Sequence, residues 1–155
     1  GGSAPLEFEV AVRNVGAGHN LPTSLTELRE MWVEVKVSGP DGKVWFTSGG
    51  LDAQGEIPEG AIRYGARLED AAGKPTIKPW EAVRFGFKRL VPPRGEEIDR
   101  VVAPLPAGAR GKATLAARLL YRSASPAVVR TVLRDKAFTP RVVEMASAGA
   151  TVELE

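Results

Sequence analysis

The chain has 155 residues, of which 43% are hydrophobic and 26% charged, a balance typical of one folded domain with a single core rather than a disordered protein. Its formal net charge is +2, and because the 21 basic residues are scattered along the chain, no nucleic-acid partner is expected. The absence of cysteine excludes disulfides, thiolate metal sites and covalent haem attachment within this chain.

Alternating apolar and polar residues mark the first strands. Residues 6–15 (LEFEVAVRNV) and 31–37 (MWVEVKV) both have a period of two, which is typical of strands that are buried on one face. Residues 39–42 (Gly-Pro-Asp-Gly) then predict a tight turn. The chain is therefore expected to run back over 43–49 and close a β-hairpin.

The later stretches predict more strands, separated by glycine and proline. These stretches are 61–68, 81–90, 96–105, 112–122 and 142–154. One short helix is predicted over 126–135, where Pro126 suits the first turn.

The pattern as a whole predicts an all-β fold, an antiparallel immunoglobulin-like β-sandwich. Residues 1–5 are interpreted as linker or expression-derived residues, and 6–155 as a single β-sandwich domain. No membrane span is predicted, because no apolar run approaches the roughly 20 residues that a bilayer requires.

Common catalytic constellations are missing from the sequence. A Ser-His-acid triad would have to use His19, the only histidine, with a serine outside any nucleophile-elbow motif. The Gly-Ala-Gly segment at 16–18 follows a strand without opening an apolar helix, so it does not match a dinucleotide-binding motif. Neighbouring carboxylates such as Glu96 and Glu97 are typical of a solvated surface. The sequence therefore predicts no enzyme.

Two features keep a binding module open as an alternative. Asp52 and Glu56 in the loop 51–60 are spaced loosely like calcium ligands, but the loop lacks the distal bidentate glutamate, which favours a plain turn. Trp32 shares its side of the strand with Glu34 and is expected to face outward. An outward tryptophan or this loop could serve an extracellular module that binds carbohydrate, calcium or a protein partner.

The other large apolar residues are expected in the core. Aromatic side chains usually fill the space between two packed sheets, so at least two of the three tryptophans are interpreted as core residues, with Trp32 as the exception, which leaves Trp45 and Trp80. Met31 and Met145 lie in apolar patterns and are interpreted as core residues rather than metal ligands.

His19 lies in the segment VRNVGAGHNLPTSL, residues 12–25. A neutral imidazole can donate a lone pair to a metal, Gly16 and Gly18 remove side chains beside it, and Pro22 stiffens the exit of the loop. A single ligand cannot hold a free metal ion. The residues therefore leave two alternatives, a hydrogen-bonded structural histidine or a ligand to a metal whose other ligands come from elsewhere.

Residues 12–57 resemble the cysteine-free domain that follows the haem-binding region in a family of bacterial multihaem c-type cytochromes. The family segment N-x-G-A-G-H-x-[FL]-P-T-G is matched from Asn14 to Thr23, with Ser24 in place of its last glycine. The next family segment, R-x-[ML]-W-[LV]-E-V, is matched by REMWVEV from Arg29 to Val35. Weaker similarity, in KPWEAVRF, LVPPRGEE, ARLLYRSASP and RVVEMA, extends over nearly the whole chain.

The resemblance implies a non-catalytic, periplasmic or extracellular domain that supports electron transfer by packing on the haem-bearing cytochrome domain of the same protein. Haem c would be held by that other part, and none is expected in this chain alone. His19 becomes a candidate axial ligand to the haem iron, with Gly18, Asn20 and Pro22 beside the cofactor. The redox partner stays open.

Overall fold

The computed structural model describes residues 4–132 and 138–155. Within these ranges the chain forms strands β1 Leu6–Arg13, β2 Glu30–Ser38, β3 Val44–Ser48, β4 Arg63–Glu69, β5 Pro75–Thr76, β6 Arg84–Arg89, β7 Glu96–Ala103, β8 Gly111–Arg122 and β9 Val143–Leu154, with helix α1 Pro126–Val132 and a 3-10 turn at Pro79–Glu81.

The predicted all-β class and the helix are both confirmed. The predicted helix at 126–135 is observed over Pro126–Val132, and residues 133–135 lie outside the described part of the chain. In that described part, no helix is long and apolar enough to cross a membrane.

All the strand pairs are antiparallel and form two sheets. The small sheet pairs β1 with β7, and the large sheet has the order β5-β4-β2-β8-β9. Strand β2 lies at the centre of the large sheet and pairs with β8 along its whole length. Its other edge is shared, because β3 pairs with its second half and β4 with Met31 and Trp32 at its start. Strand β6 extends the large sheet beyond β4.

The core lies between the small sheet and β2. Val12 of β1 and Val101 of β7 pack in one buried cluster with the alternate residues Met31, Val33 and Val35 of β2. Burying a valine side chain contributes about 1.5–3 kcal/mol, so this row supplies much of the force that holds the two sheets together. The period of two therefore identified the inner face of both strands, and the predicted sandwich is confirmed.

The prediction that Trp32 faces solvent is wrong. Its side chain does point away from the core, but it is fully buried in a second cluster with Ile57 and Leu120. The indole Nε1 donates a hydrogen bond to the carbonyl oxygen of Gly49 at 2.9 Å. The segment that follows β3 folds over this face of the large sheet and buries Trp32. The alternation of residues within β2 gives no information about a segment that packs on the strand from outside.

A buried arginine ties the second cluster together. Arg122, 1% exposed, lies in β8 directly opposite Glu30 of β2, and its guanidinium donates to the Glu30 carboxylate and to the carbonyl oxygen of Gly55. The guanidinium also lies over the Trp32 ring, 5.5 Å from its centre. Charged side chains are rarely buried this far unless they are paired, so this arginine holds the loop 49–62 against the sheet.

The prediction that Met145 is a core residue is also wrong, since its side chain is 44% exposed. The pairing of β9 with β8 slips by one residue here, so that Glu144 and Ala146 face consecutive residues of β8 and Met145 is skipped. A β-bulge of this kind leaves the extra residue unpaired. Nearly all of β9 is exposed, because the small sheet covers β2 and does not extend this far.

Trp45 and Trp80 differ in burial. Trp45 is half-buried against the cluster formed by Val37, Ala103 and Ala113. Trp80 follows Pro79 in the 3-10 turn and is 79% exposed. The predicted core position is therefore wrong for Trp80, because no residue of its 3-10 turn is buried, and Trp45 fills it only in part.

A second polar network joins the small sheet to β4. The Tyr64 hydroxyl donates to Asp99 at 3.0 Å, and the same carboxylate accepts two hydrogen bonds from Arg89 at 2.6 and 3.0 Å. Burial raises the pKa of Tyr64, and the negative charge of Asp99 and its hydrogen bond raise it further. The tyrosine therefore stays protonated in the folded protein at pH values where it ionises in the unfolded chain.

Alkaline pH is expected to weaken the fold through Tyr64. Above pH 10, the ordinary pKa of tyrosine, the unfolded chain loses the phenolic proton while the folded chain keeps it, so stability is present below that pH and falls as pH rises. The free energy of unfolding should drop by about 1.4 kcal/mol per pH unit. Urea unfolding between pH 8 and 11 measures this drop, and Tyr64→Phe should abolish it. Parallel pH curves for the two proteins would contradict the assignment.

Candidate functional site

The loop that carries His19 is fixed at both ends to one segment of the chain. The backbone amide of Asn14 donates to the carbonyl oxygen of Gly95 at 2.9 Å. At the other end, Leu21 and Val91 exchange two backbone hydrogen bonds of 2.9 and 2.8 Å. Residues 14–21 thus form a closed loop at the end of the sandwich where β1 finishes.

A buried asparagine shapes the inside of this loop. Asn14 is 2% exposed, and its Oδ1 accepts a hydrogen bond from the amide of Ala17 at 3.0 Å. Its Nδ2 donates to the carbonyl oxygen of His19 at 2.8 Å and to that of Val91 at 3.5 Å. Because both ends of one rigid amide are used, Asn14 fixes the backbone on which His19 sits.

The His19 ring lies in solvent. Its Nδ1 is 3.0 Å from the carbonyl oxygen of Asn20, and because a carbonyl oxygen can only accept, Nδ1 carries the proton in this contact. When the ring is neutral, this contact leaves the lone pair on Nε2. A hydrogen bond from one ring nitrogen to a backbone carbonyl is the usual arrangement of a histidine that binds a metal through the other nitrogen.

The fold of this chain would accept a larger residue in place of Gly16 or Gly18. Gly16 and Gly18 do not have the positive φ that favours glycine. A Cβ atom built on either would meet no atom of the described residues within 4 Å. Glycine therefore occurs at both positions although the fold has room for a side chain. As a result, the surface around His19 is open to a flat group from outside.

The four residues predicted at the cofactor are divided between surface and interior. Gly18, His19 and Asn20 are consecutive and exposed. Pro22 is buried and follows a cis peptide bond, and it packs beside Gly65 of β4. The exposed three can contact an external group, whereas Pro22 supports the exit of the loop from inside.

Ser24 has a backbone conformation that favours glycine. Its φ is +53°, a conformation that glycine adopts freely and that costs other residues about 1 kcal/mol. We expect Ser24→Gly to raise the free energy of unfolding by about 0.5–1 kcal/mol, measured by urea unfolding, with Thr23→Gly as a neighbouring control that lowers it. A destabilised Ser24→Gly variant would show that the serine makes a contact worth more than its strain.

The loop 51–60 contains a turn that is closed by the side chain of Asp52. Asp52 Oδ1 accepts hydrogen bonds from the amides of Gln54 at 2.9 Å and Glu56 at 2.8 Å. The Glu56 carboxylate accepts from the amide of Ala127 and from Arg130, both at 3.0 Å. Both carboxylates therefore accept hydrogen bonds from the fold, and nowhere in residues 4–132 and 138–155 do three or more His, Asp or Glu side chains gather to hold a metal ion.

Sequence reasoning identified the exposed histidine and missed the residue that positions it. Asn14 had a detectable signal, because asparagine directly after a strand and before glycines is typical of a side-chain-capped turn. Its partners Val91 and Gly95 lie about 80 residues away, and no local pattern could reveal them.

The described residues form an antiparallel β-sandwich with one exposed histidine on a glycine-containing loop. A solved structure with this fold is the penta-haem cytochrome c552 from Thermochromatium tepidum, which matches with a TM-score of 0.70 and 18% sequence identity. The match covers 96% of this chain and 36% of that one, so the chain spans about a third of the length of the cytochrome. No family model matches the chain, and the comparison with curated proteins gives no match either. At this identity the likeness shows a shared fold.

Proposed function

We propose that the chain is a non-catalytic β-sandwich domain of a multihaem c-type cytochrome, located in the periplasm or outside the cell. In this proposal it packs on the haem-bearing cytochrome domain of the same protein. His19 supplies a distal axial ligand to a haem c that is covalently held by that other domain. The observation that carries the proposal is the exposed His19 ring, whose Nδ1 contacts the carbonyl oxygen of Asn20 and whose Nε2 has no hydrogen-bond partner among the described residues.

The chemistry of haem fits a site with only one ligand. The porphyrin and a proximal histidine supply five ligands to the iron, so the chain needs to supply only the sixth. Bound haem provides a one-electron iron couple for electron transfer. The chain's own part is to hold His19 in the tautomer that can coordinate and to keep side chains away from the macrocycle at Gly16 and Gly18.

The structural likeness supports the same proposal. A protein described as a penta-haem cytochrome contains this fold within a chain about three times as long. In the same way, this chain would lie beside the haem-bearing part of a longer protein. The rival binding module loses support, because Trp32 is buried and the carboxylates of Asp52 and Glu56 are engaged within the fold.

A haem peptide with its own proximal histidine and an open sixth position tests the proposal on the chain as it stands. We expect the ferric peptide to change from high-spin to low-spin absorption when the chain is added, because His19 is the only histidine available. His19→Ala should abolish the change, and Asn20→Ala, next to it in the same exposed loop, should preserve it. The absence of a spectral change at millimolar chain would contradict an accessible, coordinating imidazole.

A further inference from the structure

Exposed apolar side chains lie at the edge of the large sheet, beyond β4. The segment 66–88, which we call the flap, contains most of β4, then β5, the 3-10 turn and β6. Three of its large apolar side chains fall within six residues and are mostly in solvent: Trp80 at 79%, Val83 at 62% and Phe85 at 51% exposed. Large apolar side chains that are this exposed and this close in sequence favour a contact surface.

The flap is also basic. It contains five lysines and arginines against three carboxylates, so its net charge of +2 equals that of the whole chain. Two of the carboxylates are already paired, Glu69 with Arg84 at 3.0 Å and Glu81 with Lys78 at 2.7 Å.

Three flap cations therefore remain unpaired. Among the described residues, Arg67, Lys74 and Lys88 have no carboxylate within ion-pair distance. The Lys88 ammonium lies 5.1 Å from the centre of the Phe85 ring, so positive charge and exposed aromatic surface occur together on β6.

We propose that the flap binds the surface of an anionic phospholipid bilayer, with Trp80 inserted among the headgroups. Tryptophan concentrates at membrane interfaces, and exposed lysines and arginines are attracted to anionic headgroups. A stable protein–protein contact buries about 800 Å² on each partner, from about 20–30 residues, and three apolar side chains do not provide that. A bilayer needs no matching surface, because each side chain inserts separately. The inference is independent of the haem proposal.

Vesicle binding tests this inference. Trp32 is fully buried and Trp45 is half-buried, so Trp80 contributes most of the solvent-exposed emission. We expect that emission to shift to shorter wavelength with vesicles of phosphatidylglycerol and phosphatidylcholine. Vesicles of phosphatidylcholine alone should cause a much smaller shift, and 0.5 M salt should reverse the binding. Vesicle sedimentation measures the same binding without relying on fluorescence.

Matched variants separate the flap from general attraction of a basic protein. Replacing Lys74 and Lys88 together with glutamine should weaken sedimentation about 30-fold, and Trp80→Ala should reduce it by a similar factor. The control replaces Lys36 and Lys43, which are exposed outside the flap, and should change binding much less. No binding to anionic vesicles, or equal losses in the flap and control variants, would overturn the proposal.

Discussion

Replacing Arg122 with alanine is expected to lower the free energy of unfolding by about 3–5 kcal/mol. The guanidinium is buried and holds three groups together: the Glu30 carboxylate, the carbonyl oxygen of Gly55 and the face of the Trp32 ring. Truncation leaves Glu30, 18% exposed, without its cation and opens a cavity beside the indole. Urea unfolding followed by tryptophan fluorescence measures the loss.

The matched control for this prediction is Arg118→Ala. Arg118 pairs with Glu34 across the same two strands, four residues from the pair of Arg122 with Glu30, but it is 45% exposed. Solvent-exposed ion pairs contribute little, so we expect a loss below about 1 kcal/mol. Losses of equal size in the two variants would show that Arg122 acts only as a cross-strand ion pair and does not anchor the loop 49–62.

Asn14→Ala is expected to lower the free energy of unfolding by about 2–4 kcal/mol, because it leaves the amide of Ala17 and the carbonyl oxygen of His19 without partners. The amide of Ala17 should also lose protection from hydrogen exchange. His19→Ala should change stability by less than about 0.5 kcal/mol, since the ring is exposed and bonds only to the neighbouring residue.

This pair of variants separates the two roles that the sequence left open for His19. A structural histidine would cost stability on removal, whereas a ligand held by Asn14 would cost little in the chain alone. A loss above about 1.5 kcal/mol for His19→Ala, with a small loss for Asn14→Ala, would favour the structural role over coordination.

The structural features that could be predicted from the sequence are those that depend on residues close together in the chain. The alternation in β1 and β2 correctly identified the row that contains Val12, Met31 and Val33, because side-chain direction in a strand follows from the local backbone. The same local character made a glycine-rich loop around His19 predictable as a surface feature.

The predictions that were wrong concern residues whose surroundings come from parts of the chain that are distant in sequence. Trp32 is buried because the loop 49–62 covers it, and Met145 is exposed because β9 is bulged and lies at an uncovered edge. The role of Asn14 depends on a segment that begins at Val91. None of these contacts produces a periodic pattern or a motif in the sequence, so only the three-dimensional structure reveals them.

The most direct test of the proposed haem ligation is the electron paramagnetic resonance spectrum of the longer protein in which we propose that this chain accompanies a haem region, before and after His19→Ala. We expect one low-spin ferric signal to disappear and a high-spin signal to replace it, while Asn20→Ala leaves the spectrum unchanged. A spectrum that is identical with and without the His19 imidazole would show that no haem iron is coordinated by this loop.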